Sequence, residues 1–457
     1  MATGDFDQYY GNNPWETMDK NQRQWYDPDL VSMFRRQSRF VDAIPFAKSN
    51  AAVSAKTMTV SQLFEPHPDF TPLSMRQLWL PAAHIDSRQI DITFNRQGGK
   101  VAYHEYDNII TYWKQNGKKG LRRIMRGALG SHMIGVLDAL ARNAFISGAL
   151  NGGFNMIQGG GTDFSAIGTT DLYDPEMGMD IWLGMTYRDV PFAQGVSGPE
   201  GSMICYTSPG VIYDIQKDSD FRSVLDYADA VRRLNYEAGA YKNIRYVQTP
   251  ACTLWNCGAV SVRANVTAAI TAGDGSPDPS TTKVDGSYKV GQDGMTHYIQ
   301  LQSDAFAAGA VADIDVNDII TIHSGVTSAY GITDGVDFNE GKLHNRRVVA
   351  VDEANFRVQL DRPVMVDFNV DIGNGVYAYV TLGRHIHASI FVAGPTGIVA
   401  GVGRAPKIHT PPPVDDFQSI HRVSWDSYLG YQNFNPEVYE VIFSAGTTRI
   451  KGAAVVQ

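Results

Sequence analysis

The chain has 457 residues, 43% of them hydrophobic and 19% charged; this is enough for two or three domains with separate cores and excludes wholesale disorder. Its three cysteines, Cys205, Cys252 and Cys257, speak against a disulfide framework and for folding in a reducing compartment. A formal net charge of −9 argues against a dedicated nucleic-acid-binding protein.

Residues 1–60 are polar and aromatic with little periodicity, and read as an arm whose Trp15, Trp25, Tyr26, Phe34, Phe40 and Phe46 anchor to another surface. No basic-then-apolar leader opens it, so no secretory signal is expected. Residues 88–106 read as a hairpin. Ile90, Ile92 and Phe94 alternate with polar residues, a turn is expected at residues 97–100 with Gly98, Gly99 and Lys100, and Val101 and Tyr103 alternate again. A lone hairpin is marginal in water, so this one should lie on something else.

A basic run follows, with Lys114, Lys118, Lys119, Arg122, Arg123 and Arg126 and no acid until Asp138. It suits phosphates or an acidic protein surface, with an exposed helix face as the plain alternative. Residues 120–148 carry Leu121, Met125, Leu129, Met133, Val136, Leu137, Leu140 and Ala144 on one broad helical face. Helices are expected over 175–187, 208–217 and 220–234, and strands over 202–207 and 244–249. Short strands follow at 318–323, 346–351, 356–360 and 376–382. Within this stretch, residues 271–371 hold 16 Asp+Glu against 7 Lys+Arg, the whole imbalance of the chain, and read as a separate solvated module. A strand over 385–392, a Gly-rich connection, and strands over 421–428 and 437–443 close the chain. The longest uncharged run, residues 388–403, is broken by Gly394, Pro395 and Gly397, so no membrane-spanning helix is expected.

This α+β order resembles the major capsid proteins of tailed double-stranded DNA bacteriophages. The likeness rests on the hairpin at 88–106, the long helix at 120–148, and the run Met203-Ile204-Cys205-Tyr206-Thr207-Ser208-Pro209 followed by Gly239 to Thr249. It rests also on Ser389 to Gly394, on Arg422-Val423-Ser424-Trp425, and on the small-barrel pattern Asn317 to Ile322, Arg347 to Val351 and Leu360 to Val364. The resemblance implies an N-terminal arm (1–60), an extended hairpin loop and start of a peripheral domain (61–118), and a spine helix with peripheral domain (119–174). An axial domain (175–264), an acidic β-rich insertion (265–380) and a return through both domains (381–457) complete it. It further implies a subunit of an icosahedral head shell, assembled in the host cytoplasm and located in the virion. The implied partners are copies of itself in hexamers and pentamers, a separate scaffolding protein, a portal, decoration proteins and non-specific contacts with packaged DNA. No membrane, cofactor or enzyme activity is implied.

Cys252-x4-Cys257 lacks a second pair for zinc, and His385-x-His387 lacks a completing acid or thiol. Asp313, Asp315 and Asp318, or Asp334, Asp337 and Glu340, offer oxygens for Ca²⁺ without the loop pattern. No Gly-Lys-Ser/Thr loop and no Gly-x-Ser-x-Gly elbow occurs. The resemblance also raises a covalent link from Lys100, at the expected hairpin tip, to Asn433 or Asn435 assisted by Glu437, which would show as a ladder on a denaturing gel. The alternative readings are a β-rich virion fibre or surface carbohydrate-binding protein and, third, an intracellular hydrolase.

Overall fold

The computed structural model describes residues 40, 43–44, 46–47, 57–63, 87–104, 121–161, 164–190, 203–217, 237–241, 243–270, 296–302, 314–323, 344–364, 368, 370–394, 397–412, 420–448 and 455–456. In chain order, β1 (Phe46–Ala47), β2 (Thr57–Leu63), β3 (Ser87–Thr93) and β4 (Asn95–His104) precede the helix α1 (Leu121–Leu150) and β5 (Phe154–Ile157). Then come α2 (Pro175–Tyr187), β6 (Met203–Thr207), α3 (Pro209–Ile215), β7 (Glu237–Tyr241), β8 (Ile244–Gln248) and β9 (Thr253–Leu254). Next are β10 (Val260–Val266), β11 (Thr296–Gln300), β12 (Ile319–His323), β13 (His344–Asp352), β14 (Arg357–Val364) and β15 (Ala378–Gly383). The last are β16 (Ile386–Val392), β17 (Ile398–His409), β18 (Ile420–Asn433), β19 (Tyr439–Ser444), β20 (Thr447–Thr448) and β21 (Val455–Val456).

The central sheet runs β5-β19-β16-β6-β8-β7, with β9 also paired to β16. Strand alternation divides its side chains between two cores. Ile386, Ala388 and Ile390 point to the second half of α1, where Ala141, Ala144, Phe145 and Ala149 are buried. Phe391, Cys205 and Ile442 point the other way, onto Ile181 and Met185 of α2 and Val211, Ile212 and Ile215 of α3. Both of these shorter helices start as their sequences dictate. Asp174 accepts from the Glu176 amide with Pro175 following, and Ser208 accepts from the Val211 amide with Pro209 following.

A six-stranded sheet, β10-β15-β12-β13-β14-β11, closes over its own core of Val266, Ile320, Ile322, Val348, Val358, Leu360 and Val380. It meets the central body at Asn256, a buried residue with φ of 56°. The Asn256 amide donates to the Ile319 carbonyl at 2.6 Å and Thr321 Oγ1 at 3.1 Å, and its oxygen accepts from the Gly383 amide at 3.2 Å. Asparagine tolerates the left-handed backbone there while its side chain satisfies buried groups on both sides.

The four-stranded sheet has the order β1-β17-β18-β4. Its inner face packs on the first half of α1, with Trp425, Val423, Val101 and Ile408 against Leu129, Met133 and Val136. Trp425 Nε1 donates to His132 Nδ1 at 3.2 Å.

Several expectations change. The turn at residues 97–100 is absent: β4 runs straight through Gly98 and Gly99, paired with Asp426 and Trp425 of β18. These glycines serve close approach rather than reversal. A Cβ on Gly98 would sit 2.7 Å from the Trp425 carbonyl oxygen, and one on Gly99 would sit 2.9 Å from the indole nitrogen. The two-stranded ribbon is instead β2–β3, with Thr57 opposite Thr93 and Leu63 opposite Ser87. Lys100 is therefore in mid-strand opposite Ser424, not at a hairpin tip, which removes the geometric basis of the Lys100 cross-link.

The Gly-rich connection after residue 392 contains β17, one of the longest strands described. Phe40 is buried in the chain's own core, with its ring 5.1 Å from Tyr206 and 6.3 Å from Phe145, and its amide donates to buried Asp138 at 2.8 Å. It does not anchor to another surface. One stretch, Arg126–Leu150 of α1, is long and apolar enough to cross a membrane, contrary to expectation. Its apolar stripe is instead used against two sheets, and Asp138 is occupied by Phe40, as in a core helix. The helix expected over 220–234 lies outside the described residues, as do Trp15, Trp25, Tyr26 and Phe34 of the arm.

Candidate functional site: a ribbon seated on a sheet

The alternation Thr57-Met58-Thr59-Val60-Ser61 opposite Gln89-Ile90-Asp91-Ile92-Thr93 makes a ribbon with one apolar side. Ile90 and Ile92 are buried, while Ser87, Arg88, Gln89, Asp91 and Thr93 are exposed. No third strand joins it among the described residues, and two strands alone are marginal in water. What holds its base is a pad of glycines on β17 and β18. A Cβ on Gly430 would fall on the Thr93 carbonyl oxygen and lie 2.9 Å from the Ile92 side chain. A Cβ on Gly401 would lie 2.8 Å from the Phe94 ring and 3.1 Å from Ile92, and Gly403 also faces that ring.

Gly430→Ala should therefore lift the base of the ribbon. The expected cost is about 1–3 kcal/mol, as for other overpacked sites. Hydrogen exchange should show faster exchange in β3, with α2 and α3 unchanged; uniform protection across β3 would contradict the seating.

On the same face of the four-stranded sheet, Asp426 accepts from His409 Nε2 at 2.7 Å and Arg404 Nη1 at 3.3 Å, with Arg96 Nη2 at 3.6 Å. The Arg96 guanidinium also lies 5.9 Å from the Tyr428 ring centroid. Lys114, Lys118 and Lys119 of the basic run fall outside the described residues. Arg122 and Arg123 are on the first turn of α1, and Arg126 is exposed on its second. Of the hairpin set, Ile90 and Ile92 are on β3, Phe94 joins it to β4, and Gly98, Gly99, Lys100, Val101 and Tyr103 are on β4. The structure thus gathers these residues into a ribbon base and a sheet. The sequence reading missed β2, although its alternation was visible, and missed the glycine pad, which no local signal marks.

Possible reactive groups are already engaged. His387 Nδ1 is 2.6 Å from Ser208 Oγ, which also caps α3, and both residues are buried. Asp214 beside them accepts from Thr447. His385 Nδ1 accepts from the Asn256 amide at 3.1 Å, and its ring packs edge-on to Trp255. Burial lowers the pKa of both histidines to about 4; for His387 the positive charge of His385 adds to this, and Asp214 opposes it. Cys205, Cys252 and Cys257 are free, buried thiols, each with its pKa raised chiefly by desolvation, that of Cys257 to about 12. Among the described residues no group of His, Cys, Asp and Glu could hold a metal. Asp334, Asp337 and Glu340 lie outside them, whereas Asp318 closes its own turn by accepting from the Asp315 amide at 2.9 Å.

No family model matches the sequence, and no curated protein does. Solved structures do. The capsid of Ralstonia phage GP4 matches with a TM-score of 0.53 and 11% identity, covering 94% of this chain and 97% of that one. The capsid of cyanophage P-SCSP1u (TM-score 0.47, 10% identity, 93% of each chain) and a structure from Mycobacterium phage Che8 (0.45, 8%, 92% of this chain and 96% of that one) are also similar. The Ralstonia phage match covers nearly the whole of both chains, so the chain has the fold of that phage capsid.

Proposed function

We propose that this chain is the structural subunit that self-assembles into the icosahedral head shell around a phage genome. The observation that carries this is the likeness of fold to the capsid of Ralstonia phage GP4 along nearly the whole of both chains. The open β2–β3 ribbon supports it, because such a ribbon gains stability only by lying on another surface. A neighbouring copy supplies that surface in a shell of hexamers and pentamers. The burial of Ser208, His385, His387 and the thiols, with His387 Nδ1 beside Ser208 and His385 Nδ1 accepting from the Asn256 amide, supports a structural role.

The finer reading follows the same line. The six-stranded sheet with its own core supports an inserted β-rich module over 265–380, between the axial domain (175–264) and the returning chain (381–457). The arm (1–60), the loop region (61–118) and the spine helix with peripheral domain (119–174) complete the division. Lys114, Lys118, Lys119, Arg122, Arg123 and Arg126 are read as an inner or inter-subunit basic run making few, sequence-independent contacts with packaged DNA; the exposure of Arg126 supports this. A separate scaffolding protein, a portal and decoration proteins are the further partners, with assembly in the host cytoplasm.

Negative-stain microscopy and size-exclusion chromatography of the expressed protein, with and without the products of neighbouring genes, test the proposal. Shells or five- and six-fold rings are expected. A stable compact monomer or a trimeric rod under every condition overturns it.

A further inference from the structure

We infer that Asn374–Gly375, at the tip of the turn that leads into β15, is a self-modification site whose reaction Asp371 holds in check. The chain has three Asn-Gly pairs, at 116–117, 151–152 and 374–375. A glycine leaves its own backbone nitrogen unhindered, so that nitrogen is open to attack the asparagine side chain before it. The Gly375 nitrogen gives up its proton and bonds to Asn374 Cγ while the Cγ–Nδ2 bond breaks, and ammonia carries the proton away. Water then opens the resulting cyclic imide at either carbonyl, leaving aspartate or isoaspartate. Nothing is oxidised or reduced, and water is the sole co-reactant.

At residues 371–376 this chemistry is both accessible and restrained. Asn374 has φ of 57° and Gly375 φ of 77°, and the Val376 amide donates to the Gly373 carbonyl at 3.2 Å. This is the mirror-image two-residue turn that Asn-Gly favours. Asp371 and Asn374 are exposed, and a Cβ on Gly373 or Gly375 would meet nothing within 4 Å, so the tip is open to water. The restraint is geometric. In such a turn the Gly375 nitrogen lies across the Cα–C bond from Asn374 Cβ, whereas ring closure needs both on the same side. Asp371 fixes that arrangement. Its Oδ1 accepts from the Gly373 amide at 2.8 Å and the Gly375 amide at 3.2 Å, and its Oδ2 lies 3.3 Å from the latter nitrogen. The N–H that must be lost for attack is therefore bound to a carboxylate, a stronger acceptor than a neutral group. Opening the turn frees the nitrogen and releases Asn374 from a left-handed backbone that disfavours any residue with a Cβ. Isoaspartate then adds a carbon to the main chain and a second carboxylate near Asp371, so the two-residue turn does not re-form. The product is a permanent record of opening at this end of the six-stranded module.

Incubation of the whole protein in mildly alkaline buffer made with oxygen-18 water, followed by peptide mass spectrometry and enzymatic methylation of isoaspartate, tests this. Folded wild-type protein should convert Asn374 at least about tenfold more slowly than the same chain in guanidinium chloride. The D371A variant should raise the rate in the folded protein by about tenfold, leaving Asn151, at the end of α1, at its wild-type rate. The D371N variant keeps a weaker, neutral acceptor and should fall between the two. Hydrogen exchange in β15 shows whether each variant is folded; should D371A expose β15, the comparison passes to D371N. Conversion of the folded wild type as fast as the unfolded chain overturns the inference. So does a wild-type rate in the folded variant, a slower one, which would make Asp371 a base, or product without the oxygen-18 label, which would exclude the imide.

Discussion

Trp425→Ala should destabilise the protein by about 3–5 kcal/mol, the range for emptying a buried aromatic site. The indole is 1% exposed and is the largest fully buried side chain described. It forms the centre of the contact between α1 and the four-stranded sheet, with Leu129 and Val423 beside it and the His132 ring 6.0 Å away. Collapse into the cavity is hindered because the neighbours belong to a helix and a sheet ladder whose backbones are already fixed. Trp425→Phe separates the two contributions. It keeps most of the apolar volume and gives up the bond to His132, so about 1 kcal/mol of its loss is assigned to that bond. Urea unfolding of the purified protein, followed by far-ultraviolet circular dichroism, reads both. A loss below about 1 kcal/mol for the alanine variant would mean that the helix is held elsewhere.

Acidification should weaken the central body between about pH 6.5 and pH 4. His385 and His387 remain neutral in the folded chain down to about pH 4, because burial disfavours the imidazolium, with the His385 charge adding to this at His387 and Asp214 opposing it. In the unfolded chain both regain an ordinary pKa of about 6.5. Through that window the unfolded state binds protons that the folded state does not, so stability falls as the pH falls. It is fully retained above about pH 6.5, and the loss is complete near pH 4. Each histidine contributes on the order of 3 kcal/mol to that fall.

Both rings line the junction of β16 with α3 and with Asn256, so the six-stranded module should loosen from the body along with α3. The paired variant H385N/H387N, which keeps a hydrogen-bonding atom near each Nδ1 position, should flatten the dependence. Urea midpoints at pH 7.5, 6, 5 and 4.5 for both proteins make the comparison, since carboxylates common to the two cancel. Parallel curves would exclude the histidines as the cause.

Elements whose signals lie within a few residues were legible in the sequence. Residues 175–187 form the expected helix because Asp174 and Pro175 fix its start, and Ser208-Pro209 fixes the start of α3 after β6 in the same way. The long helix was legible from its apolar stripe, and the six-stranded module from short alternating runs between Gly, Asp and Asn turns. What failed depended on partners distant in the chain. Gly98 and Gly99 look like a turn until Trp425 is placed beside them, and none of the positive-φ glycines described is at that position. Gly401 and Gly403 look like a linker until Ile92 and Phe94 rest on them. Glycine has two uses, reversal and close approach, and only the facing residue distinguishes them. The polar face of the four-stranded sheet was half legible for the same reason: Lys100 could be named, but Ser424 and His409 beside it come from far later in the chain and are brought to it by register.

The position of β18 between β17 and β4 has a consequence for timing during synthesis. Ribosomes extend chains at about 5–20 residues per second, so roughly 15–65 s separate the synthesis of β4 from that of this strand. Until then one edge of β4 and the apolar stripe on the first half of α1 have no mate, and the pad under the ribbon is incomplete. β18 therefore closes the sheet, covers the stripe and completes the pad in one late step.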